Sequence, residues 1–267
     1  MIYRPILIFL SAAFAFNIAS AQKDTVFNQT DAKGLKQGYW KKEYPNGKPM
    51  YKGFFKDGKP FGEMRRYFES GDLKAIMLYD NKNEHIKTKI FYEDGEPAAE
   101  GLYYHEQKDS TWIYFSYYSG TVVTSETFNK GAKDGIEKHF YENSQLSEEI
   151  EWKNNLKDGI WNQYFEDGKP KLKALYSLNK LKGLYTIYYP NGNLFIVGFY
   201  SDNKRNGKWT FYDDFGKVKS EIVYNQGKAD NEKEIMEKDQ EYFKMVEQNL
   251  GKFQDPTPDD VMPNKGY

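Results

Sequence analysis

A period of 24 residues organises most of this 267-residue chain. Successive units begin, with one extra residue within the fourth, at Gly38, Gly62, Ile86, Ser110, Gly135, Gly159, Gly183 and Gly207. Aromatic residues recur in two columns, first at Tyr67, Phe91, Phe115, Phe140, Tyr164, Tyr188 and Tyr212, and then at Phe55, Tyr79, Tyr103, Phe128, Trp152, Tyr176, Tyr200 and Tyr224. Two aromatic columns that stay in phase across the units predict a repeat protein, in which each unit contacts mainly its neighbours.

Each unit carries the signals of a β-hairpin. A first strand of about six residues ends at a turn such as Asn46-Gly47 or Asp167-Gly168. These dipeptides supply the positive φ that tight turns need. A second strand ends at the later aromatic column, and a second turn rich in glycine and asparagine joins the next unit. The chain is therefore predicted to be all-β, an elongated sheet or solenoid of about eight hairpins and about sixteen strands over residues 34–230.

The two faces of the predicted sheet differ in polarity. One face collects the later aromatic column and the third residue of most units, namely Trp40, Met64, Trp112, Trp161, Tyr185 and Trp209. The other face holds the earlier aromatic column and Phe54, Leu78, Leu102, Leu175 and Phe199, between Lys, Glu, Thr and Ser residues. We therefore expect the first face to be more continuously buried and the second face to be half-solvated.

The tryptophan column is also the best sequence candidate for a recognition surface. Trp and Tyr dominate the energetics of interfaces, and their rings stack on ligands where they are exposed. The predicted binding residues are then Trp40, Trp112, Trp161, Tyr185 and Trp209. The alternative is that the same rings form the core of the sheet, because large aromatic side chains at regular strand positions are usually buried.

The unit also resembles a known repeat. The segment 159–169, GIWNQYFEDGK, and the run Gly207-Lys208-Trp209 are similar to the MORN repeat family, nearest its bacterial variant of the antitoxin type. The resemblance implies β-hairpins stacked into one long twisted sheet with a groove, mostly in scaffolds with protein or membrane-lipid partners. Units three to five depart from the pattern, and a regular groove is not expected there; the departures are Ile86, Ser110, Ser144 and the insertion near Ser119-Gly120.

The N-terminus carries the signals of export. Arg4 precedes an apolar run from Ile6 to Ile18, and Ala19-Ser20-Ala21 fits an A-x-A cleavage site. Residues 1–21 are therefore predicted to be a cleaved signal peptide, with an uncleaved anchor as the alternative, and residues 22–33 a flexible lead-in. The product would be exported and would be periplasmic, envelope-associated or secreted. The later sequence has no run of 18 apolar residues, so we expect no membrane insertion after cleavage.

Beyond the repeats, residues 231–251 are predicted to form an amphipathic helix. Apolar residues recur at helical spacing, at Ile235, Tyr242, Phe243, Val246 and Leu250. Such a helix would cap the open edge of the last hairpin, which an open repeat sheet requires for solubility. The alternative is a helix that binds a partner or a membrane surface. Residues 252–267 are predicted to be a flexible tail.

Composition and motifs argue against catalysis. The chain has no cysteine and three histidines, and no metal-ligand spacing, nucleophile elbow or phosphate-binding loop occurs. Asp94, Asp167 and Asp214 fall at turns, where aspartate is favoured for structural reasons. A catalytic carboxylate pair or weak calcium binding remains an alternative, because neither would leave a short motif. We expect no catalytic residue, no metal site and no cofactor. The 38 basic residues balance the 39 acidic ones, so nucleic acid is not an expected partner.

These patterns together favour an exported, non-enzymatic repeat scaffold. It would bind an envelope or secreted protein through an aromatic-rich face of the sheet, with a Lys and Glu rim for orientation. One alternative is a cell-wall glycan-binding module, in which aromatic rings stack on sugars. The other is an antitoxin-like protein that blocks its partner, although the predicted export counts against a cytoplasmic antitoxin.

Overall fold

The computed structural model describes residues 26–230, which form one open antiparallel sheet of twenty strands. The strands are β1 (Gln29–Thr30), β2 (Lys36–Glu43), β3 (Pro49–Lys56), β4 (Lys59–Tyr67), β5 (Leu73–Tyr79), β6 (His85–Phe91), β7 (Pro97–Tyr104), β8 (Gln107–Phe115), β9 (Val122–Asn129), β10 (Ala132–Lys133), β11 (Gly135–Phe140), β12 (Leu146–Lys153), β13 (Leu156–Tyr164), β14 (Pro170–Ser177), β15 (Lys180–Leu181), β16 (Gly183–Tyr188), β17 (Leu194–Ser201), β18 (Lys204–Tyr212), β19 (Val218–Asn225) and β20 (Lys228–Ala229). No helix occurs within residues 26–230, and the all-β repeat sheet is confirmed there. The predicted signal peptide (1–21), capping helix (231–251) and tail (252–267) lie outside the described residues.

Each long strand pairs with the long strands before and after it, so the sheet grows one hairpin at a time. In the first unit Gly38 pairs with Phe55 across the hairpin, and Lys42 pairs with Tyr51. In the eighth unit Gly207 pairs with Tyr224 in the equivalent register. The same register at both ends of the sheet confirms the hairpin as the repeating unit, because a slip of one residue would exchange the two faces.

The number of strands exceeds the expected sixteen because four two-residue strands accompany the sixteen long ones. β10 pairs with the end of β9 and β15 with the end of β14, where the second turn closes before the next unit begins. β20 pairs with β19 in the same way at the end of the described chain. β1 lies within the segment 22–33 that was expected to be a lead-in, and its Gln29 pairs with Gln37 of β2.

The first turn of each unit is closed by backbone hydrogen bonds. In the first unit the amide of Tyr44 donates to the carbonyl oxygen of Lys48 at 2.8 Å. In the fifth unit Ser144 takes a φ of 65°, where most other units have glycine. In the fourth unit the equivalent bond runs from Ser116 to Thr121, one residue further along the chain. The turn therefore absorbs the inserted residue, and the strands on either side keep their pairing.

Hydrogen bonds also tie each unit to the next at both edges of the sheet. At the first-turn edge, a tyrosine hydroxyl donates to a carbonyl oxygen 23 residues later, at 2.7 to 2.9 Å, from Tyr44, Tyr92, Tyr141 and Tyr189. At the second-turn edge, an asparagine side-chain oxygen accepts from an amide of the preceding unit, at Asn155, Asn179 and Asn203. These bonds recur with the unit, so the turn residues fix how the hairpins stack.

Strand alternation divides the sheet into a core face and an open face. The core face carries the tryptophan column, and its largest buried cluster is formed by Ile150, Trp161, Leu172, Ala174, Tyr185, Ile187, Ile196, Trp209, Phe211, Ile222 and Tyr224. A smaller cluster consists of Ala99, Trp112 and Tyr114. The open face carries Phe54, Leu78 and Phe199, all exposed. The expected difference between a buried and a half-solvated face is therefore confirmed.

Candidate functional site

The five residues predicted from the sequence to bind a ligand all lie on the core face. Four of them are buried: Trp112 and Trp209 are 1% exposed, and Trp161 and Tyr185 are 4% and 3% exposed. Trp40, in the first unit, is partly buried. A ligand would reach the four buried rings only if the core opened. Their positions therefore favour the core alternative, and an accessible binding surface has to be formed by other side chains.

A glycine on the adjacent strand makes room for each fully buried indole. A Cβ atom on Gly198 would lie 2.2 Å from Trp209 Cδ2, so only glycine lets the ring lie against that backbone. The indole Nε1–H donates to the carbonyl oxygen of Phe199 at 3.2 Å. The fourth unit repeats this arrangement with Trp112, Gly101 and Leu102. The hydrogen bond satisfies the polar end of the ring, and the rest of the ring contributes apolar burial.

Cations lie over the aromatic rings of the core face. They occupy the position two residues before the start of the unit, at Lys36, Lys108, Lys133, Lys157 and Arg205. Each has its charged group 4.7 to 5.5 Å from the centroid of an indole ring, which is the range of a cation–π contact. Charged groups therefore lie in a row above the aromatic rings of the core face. A ligand could not stack on these rings without displacing the cations.

In the fourth and fifth units the core face holds a buried cluster of charged side chains. Glu137, which is 2% exposed, lies 2.9 Å from Lys133 Nζ and 3.0 Å from His139 Nε2. Lys133 also pairs with Glu126 at 2.6 Å, and the hydroxyl of Tyr114 donates to Glu126 at 2.7 Å. Opposite charges are thus matched within the cluster, which is what burial of ionised groups requires.

The electrostatics of the cluster keep Glu137 and Lys133 charged at neutral pH. Burial alone would raise the pKa of the Glu137 carboxyl, but the hydrogen bond from His139 and the charge of Lys133 outweigh burial and lower that pKa to about 2. Burial would lower the pKa of Lys133, but Glu137 and Glu126 raise it. Burial and the neighbouring Glu126 raise the pKa of the Tyr114 hydroxyl. A general base needs a pKa near neutral, so Glu137 is suited to a structural role and not to proton transfer.

Two departures from the repeat mark this cluster in the sequence, although the sequence-based prediction did not identify it. Glu137 stands at the third position of its unit, where Trp161 and Trp209 stand in later units. Glu126 pairs with Trp112, the third residue of the fourth unit. In the seventh unit, the third residue is Tyr185, and it pairs with Gly198 instead of a carboxylate. A carboxylate at a core position requires a buried cation, and that requirement is the signal that would have predicted the cluster.

The open face carries an apolar group at its N-terminal end, here called the N-terminal open block, formed by Tyr39, Phe54, Phe61 and Leu78. Phe54 and Leu78 are 51% and 49% exposed, and Phe61 is exposed to a similar degree. Phe54 pairs with Phe61 across β3 and β4, and the rings of Tyr39 and Phe54 lie 4.9 Å apart. Tyr39, Phe54 and Phe61 are therefore contiguous, and Leu78 lies on the next strand of the same face, where it pairs with Glu63.

Basic side chains surround the N-terminal open block. On the same face lie Lys41, Lys52, Arg65, Lys74, Lys87 and Lys89. Three of them have carboxylate partners: Lys41 with Glu43, Arg65 with Glu63 and Lys89 with Glu100. Lys52 and Lys74 lie over the rings of Tyr67 and Phe68 at 5.5 and 5.2 Å. The patch therefore combines exposed apolar anchors with a mainly basic rim.

A second apolar group lies at the other end of the open face, here called the C-terminal open block, formed by Ile160, Leu175, Leu184, Phe199 and Val223. Ile160 pairs with Leu175, and Leu184 pairs with Phe199, whereas Val223 lies two strands beyond Phe199 and pairs with Lys208. Leu184 is 49% exposed, the same fraction as Leu78 in the N-terminal block. The columns with Phe54, Leu78, Leu175 and Phe199 were recognised in the sequence as the half-solvated side, but not as a candidate binding surface.

Within residues 26–230, no group of three or more His, Asp or Glu side chains is arranged to hold a metal ion. In the same range, no helix has the length and apolarity to cross a membrane.

The described geometry defines an open β-hairpin repeat protein whose accessible features are faces and turn edges. The MORN repeat variant family matches residues 36–57, 62–81, 133–154, 157–177, 181–202 and 205–226. Six of the eight units therefore match this repeat variant directly. Residues 82–132, which hold the third and fourth units, fall between the matched segments, whereas the fifth unit, which was also expected to depart from the pattern, matches over residues 133–154.

Comparison with other proteins adds little to this description. A solved structure titled "Crystal Structure of TarM" is 14% identical over 39% of this chain, with a TM-score of 0.26. The match covers 21% of that chain, and a TM-score this low supports no argument about fold or function. No curated protein matches this chain.

Proposed function

We propose that this protein is an exported, non-enzymatic repeat scaffold that binds a cell-envelope protein through the open face of its sheet. The N-terminal open block carries the proposal, because Phe54 and Leu78 are half exposed on strands that are hydrogen-bonded on both sides. Contiguous exposed apolar side chains on a fixed frame are typical of interaction sites. A rigid frame also reduces the entropy that is lost on binding.

The rim of this block indicates the chemistry of the partner. Aromatic and aliphatic anchors surrounded by lysine and arginine fit a protein surface with an apolar pocket and an acidic border. Charge complementarity of this kind orients the partner and speeds association, and it weakens at high salt. Binding should therefore have an apolar component that depends on Phe54 and Leu78 and a salt-sensitive component that depends on Lys52 and Lys87.

Export is supported by the sequence of residues 1–21, which lie outside the described part of the structure. Cleavage after Ala21 would leave Gln22 as the first residue of the mature protein. Intact-mass measurement of the protein recovered from the cell envelope and from the culture medium tests this directly. A product that keeps residues 1–21 in every fraction would contradict the cleaved signal and favour the anchor.

The binding proposal is tested by cross-linking the tagged full chain in intact cells, followed by identification of both proteins and glycans. The test variant is Phe54→Asp with Leu78→Asp, which places charge in the N-terminal open block. The matched control is Leu178→Asp with Phe215→Asp, which changes two exposed apolar residues in turns elsewhere. Because all four side chains are exposed, we expect both variants to keep the sheet, and circular dichroism checks this.

Support for the proposal requires one protein that the wild type and the control recover and that the test variant loses. The double variant Lys52→Glu with Lys87→Glu should lower the affinity of the purified complex more at low salt than at high salt. Recovery that is equal in test and control variants would contradict the assigned surface. Recovery of glycan alone would replace the proposal with the carbohydrate-binding alternative. An antitoxin-like role would require that the recovered partner be an active toxin which the protein inhibits.

A further inference from the structure

We propose that the C-terminal segment 231–250 packs across the C-terminal open block of the same chain, over Leu175, Leu184, Phe199 and Val223. This placement differs from a cap on the edge of the last hairpin. It leaves the N-terminal open block free, so it stands independently of the partner proposed above. Three features of the chain lead to this placement: where the described strands end, how long the segment is, and which charges it carries.

The described chain ends next to this block. The amide of Asp230 donates to the carbonyl oxygen of Val223 at 2.9 Å, and β20 pairs with β19 through Ala229 and Tyr224. Val223 is the member of the block closest to the chain end and is exposed on the open face. The segment that begins at Asn231 therefore leaves the sheet directly beside the surface that it would cover.

The length of the segment matches the width of the block. Twenty residues in a helix extend about 30 Å. From Val223 on β19 to Ile160 on β13 the block crosses five steps between neighbouring long strands, or about 24 Å. A helix of this length would cover every member of the block without a linker. In the sequence, the apolar residues Ile235, Tyr242, Phe243, Val246 and Leu250 fall on one side of such a helix.

The net charges of the two parts of the chain are opposite. Residues 231–250 contain six acidic and three basic side chains, and residues 156–230 contain twelve basic and eight acidic ones. Lys173, Lys182 and Lys208 are exposed beside the block. Glu221 already pairs with Lys208 at 2.6 Å, so Lys173 and Lys182 are the better partners for acidic residues of the segment. Such complementarity would set the orientation of the segment, and apolar burial would supply most of the affinity.

The absence of cysteine from the chain allows a disulfide test in the full-length protein. The test pair is Leu184→Cys with Val246→Cys. The matched control is Leu78→Cys with Val246→Cys, because Leu78 and Leu184 are both 49% exposed on the open face. A third pair, Lys228→Cys with Val246→Cys, reports packing on the edge strand β20. Mild oxidation followed by non-reducing intact-mass measurement distinguishes bonds within one chain from bonds between chains.

The expected result is an intramolecular disulfide that forms about tenfold faster in the test pair than in either other pair, because docking raises the local thiol concentration. Equal rates in the three pairs would overturn the proposal, since the segment would then have no preferred position. Faster disulfide formation in the pair Lys228→Cys with Val246→Cys would show that the segment caps the edge strand β20 instead, which also overturns the proposal. Disulfides between chains would show that a second copy covers the block, which also overturns the proposal.

A second measurement avoids cysteine altogether. Leu184→Asp should expose Lys238 and Lys244 to trypsin and speed cleavage there about tenfold, since a buried leucine contact is lost. Leu78→Asp is the matched control and should leave that rate unchanged. If both variants match the wild type, the proposed packing is wrong. Leu184→Asp should still recover the envelope partner, so the outcome is separable from that of the binding proposal.

Discussion

The sixth to eighth units and the fourth and fifth units share one backbone arrangement but fill the core face in different ways. The later units bury Trp161, Tyr185 and Trp209 in a continuous apolar cluster. The middle units bury Glu137 and its charged partners beside a much smaller apolar cluster. Strand register is nevertheless equivalent in both regions. The hairpin is therefore set by its turns and edge hydrogen bonds, and the side chains of the core face vary within that frame.

The two regions should differ in what destabilises them. Apolar burial has no direction and depends little on pH, so the later units should respond to lost volume. A buried charge cluster depends on each partner and on protonation, so the middle units should respond to lost charge and to acid.

The largest effect is expected for Trp209→Ala in the apolar region. Removing this 1% exposed indole would leave a cavity against Gly198 and should lower the free energy of unfolding by about 3–5 kcal/mol. Denaturant titration followed by circular dichroism measures the change. Trp40→Ala is the control, and its effect should be smaller because Trp40 is only partly buried. Equal losses in the two variants would show that burial does not decide the contribution of this column.

Acid should act on the middle units through Glu137. Its pKa falls from 4.5 to about 2 on folding, so its contribution to stability is complete above pH 4.5 and is lost as the pH falls toward 2. That contribution amounts to about 3 kcal/mol. Unfolding titrations between pH 2 and 6 measure it. Glu137→Gln should be less stable at pH 6 and should lack most of this pH dependence.

Trp209→Ala provides the control for the acid prediction, because it removes no charge. It should keep the same loss of stability between pH 4.5 and pH 2 as the wild type. If Glu137→Gln also keeps the full pH dependence, other carboxylates cause it, and the proposed contrast between the two regions would not hold.

Gly198→Ala should have an intermediate effect in the apolar region. The new methyl group would lie 2.2 Å from Trp209 Cδ2, so the indole would have to move. This movement should lower the free energy of unfolding by about 2 kcal/mol. Gly53→Ala is the matched control on the core face. Its closest neighbour would be Met64 Cα at 3.1 Å, so a slight shift would relieve the contact. Thermal unfolding of the two variants side by side should rank Gly198→Ala as the less stable.

The smallest effect is expected for Tyr189→Phe, which acts on the edge bonds that both regions share. It removes the hydroxyl that donates to the Tyr212 carbonyl oxygen at 2.9 Å and should cost about 1 kcal/mol. Tyr141→Phe removes the equivalent bond in the middle units and should cost the same. Hydrogen exchange of the neighbouring strands measures both. A clear difference between the two variants would show that the edges, and not only the core face, distinguish the regions.

Much of the fold follows from the sequence in physical terms. The spacing of glycine and the aromatic columns predicts hairpins because both strands must return to the same register after each turn. The extra residue near Ser119-Gly120 was expected to disturb one unit, and the turn accommodates it. The two-residue strands β10 and β15 were not predicted, because short pairings beside a second turn depend on local backbone geometry and leave no pattern of their own.

The candidate site was predicted less well than the fold. The sequence identified Trp112, Trp161, Tyr185 and Trp209 as important, but it left open whether they form a core or a recognition surface. Their burial depends on glycines such as Gly198 on a neighbouring strand and on cations such as Arg205 over the rings. These contacts join residues on different strands, so the spacing within one strand does not show them.

The repeat, the hairpin unit and the division of the strands into two faces can be read from the amino-acid sequence, because they follow from local periodicity and from turn residues that require particular backbone angles. Which aromatic rings are accessible is visible only in the folded sheet, since accessibility depends on what neighbouring hairpins place against each ring. The same holds for the charges of Glu126, Lys133 and Glu137: each appears in the sequence as an ordinary polar residue, and only their common burial makes them a matched cluster.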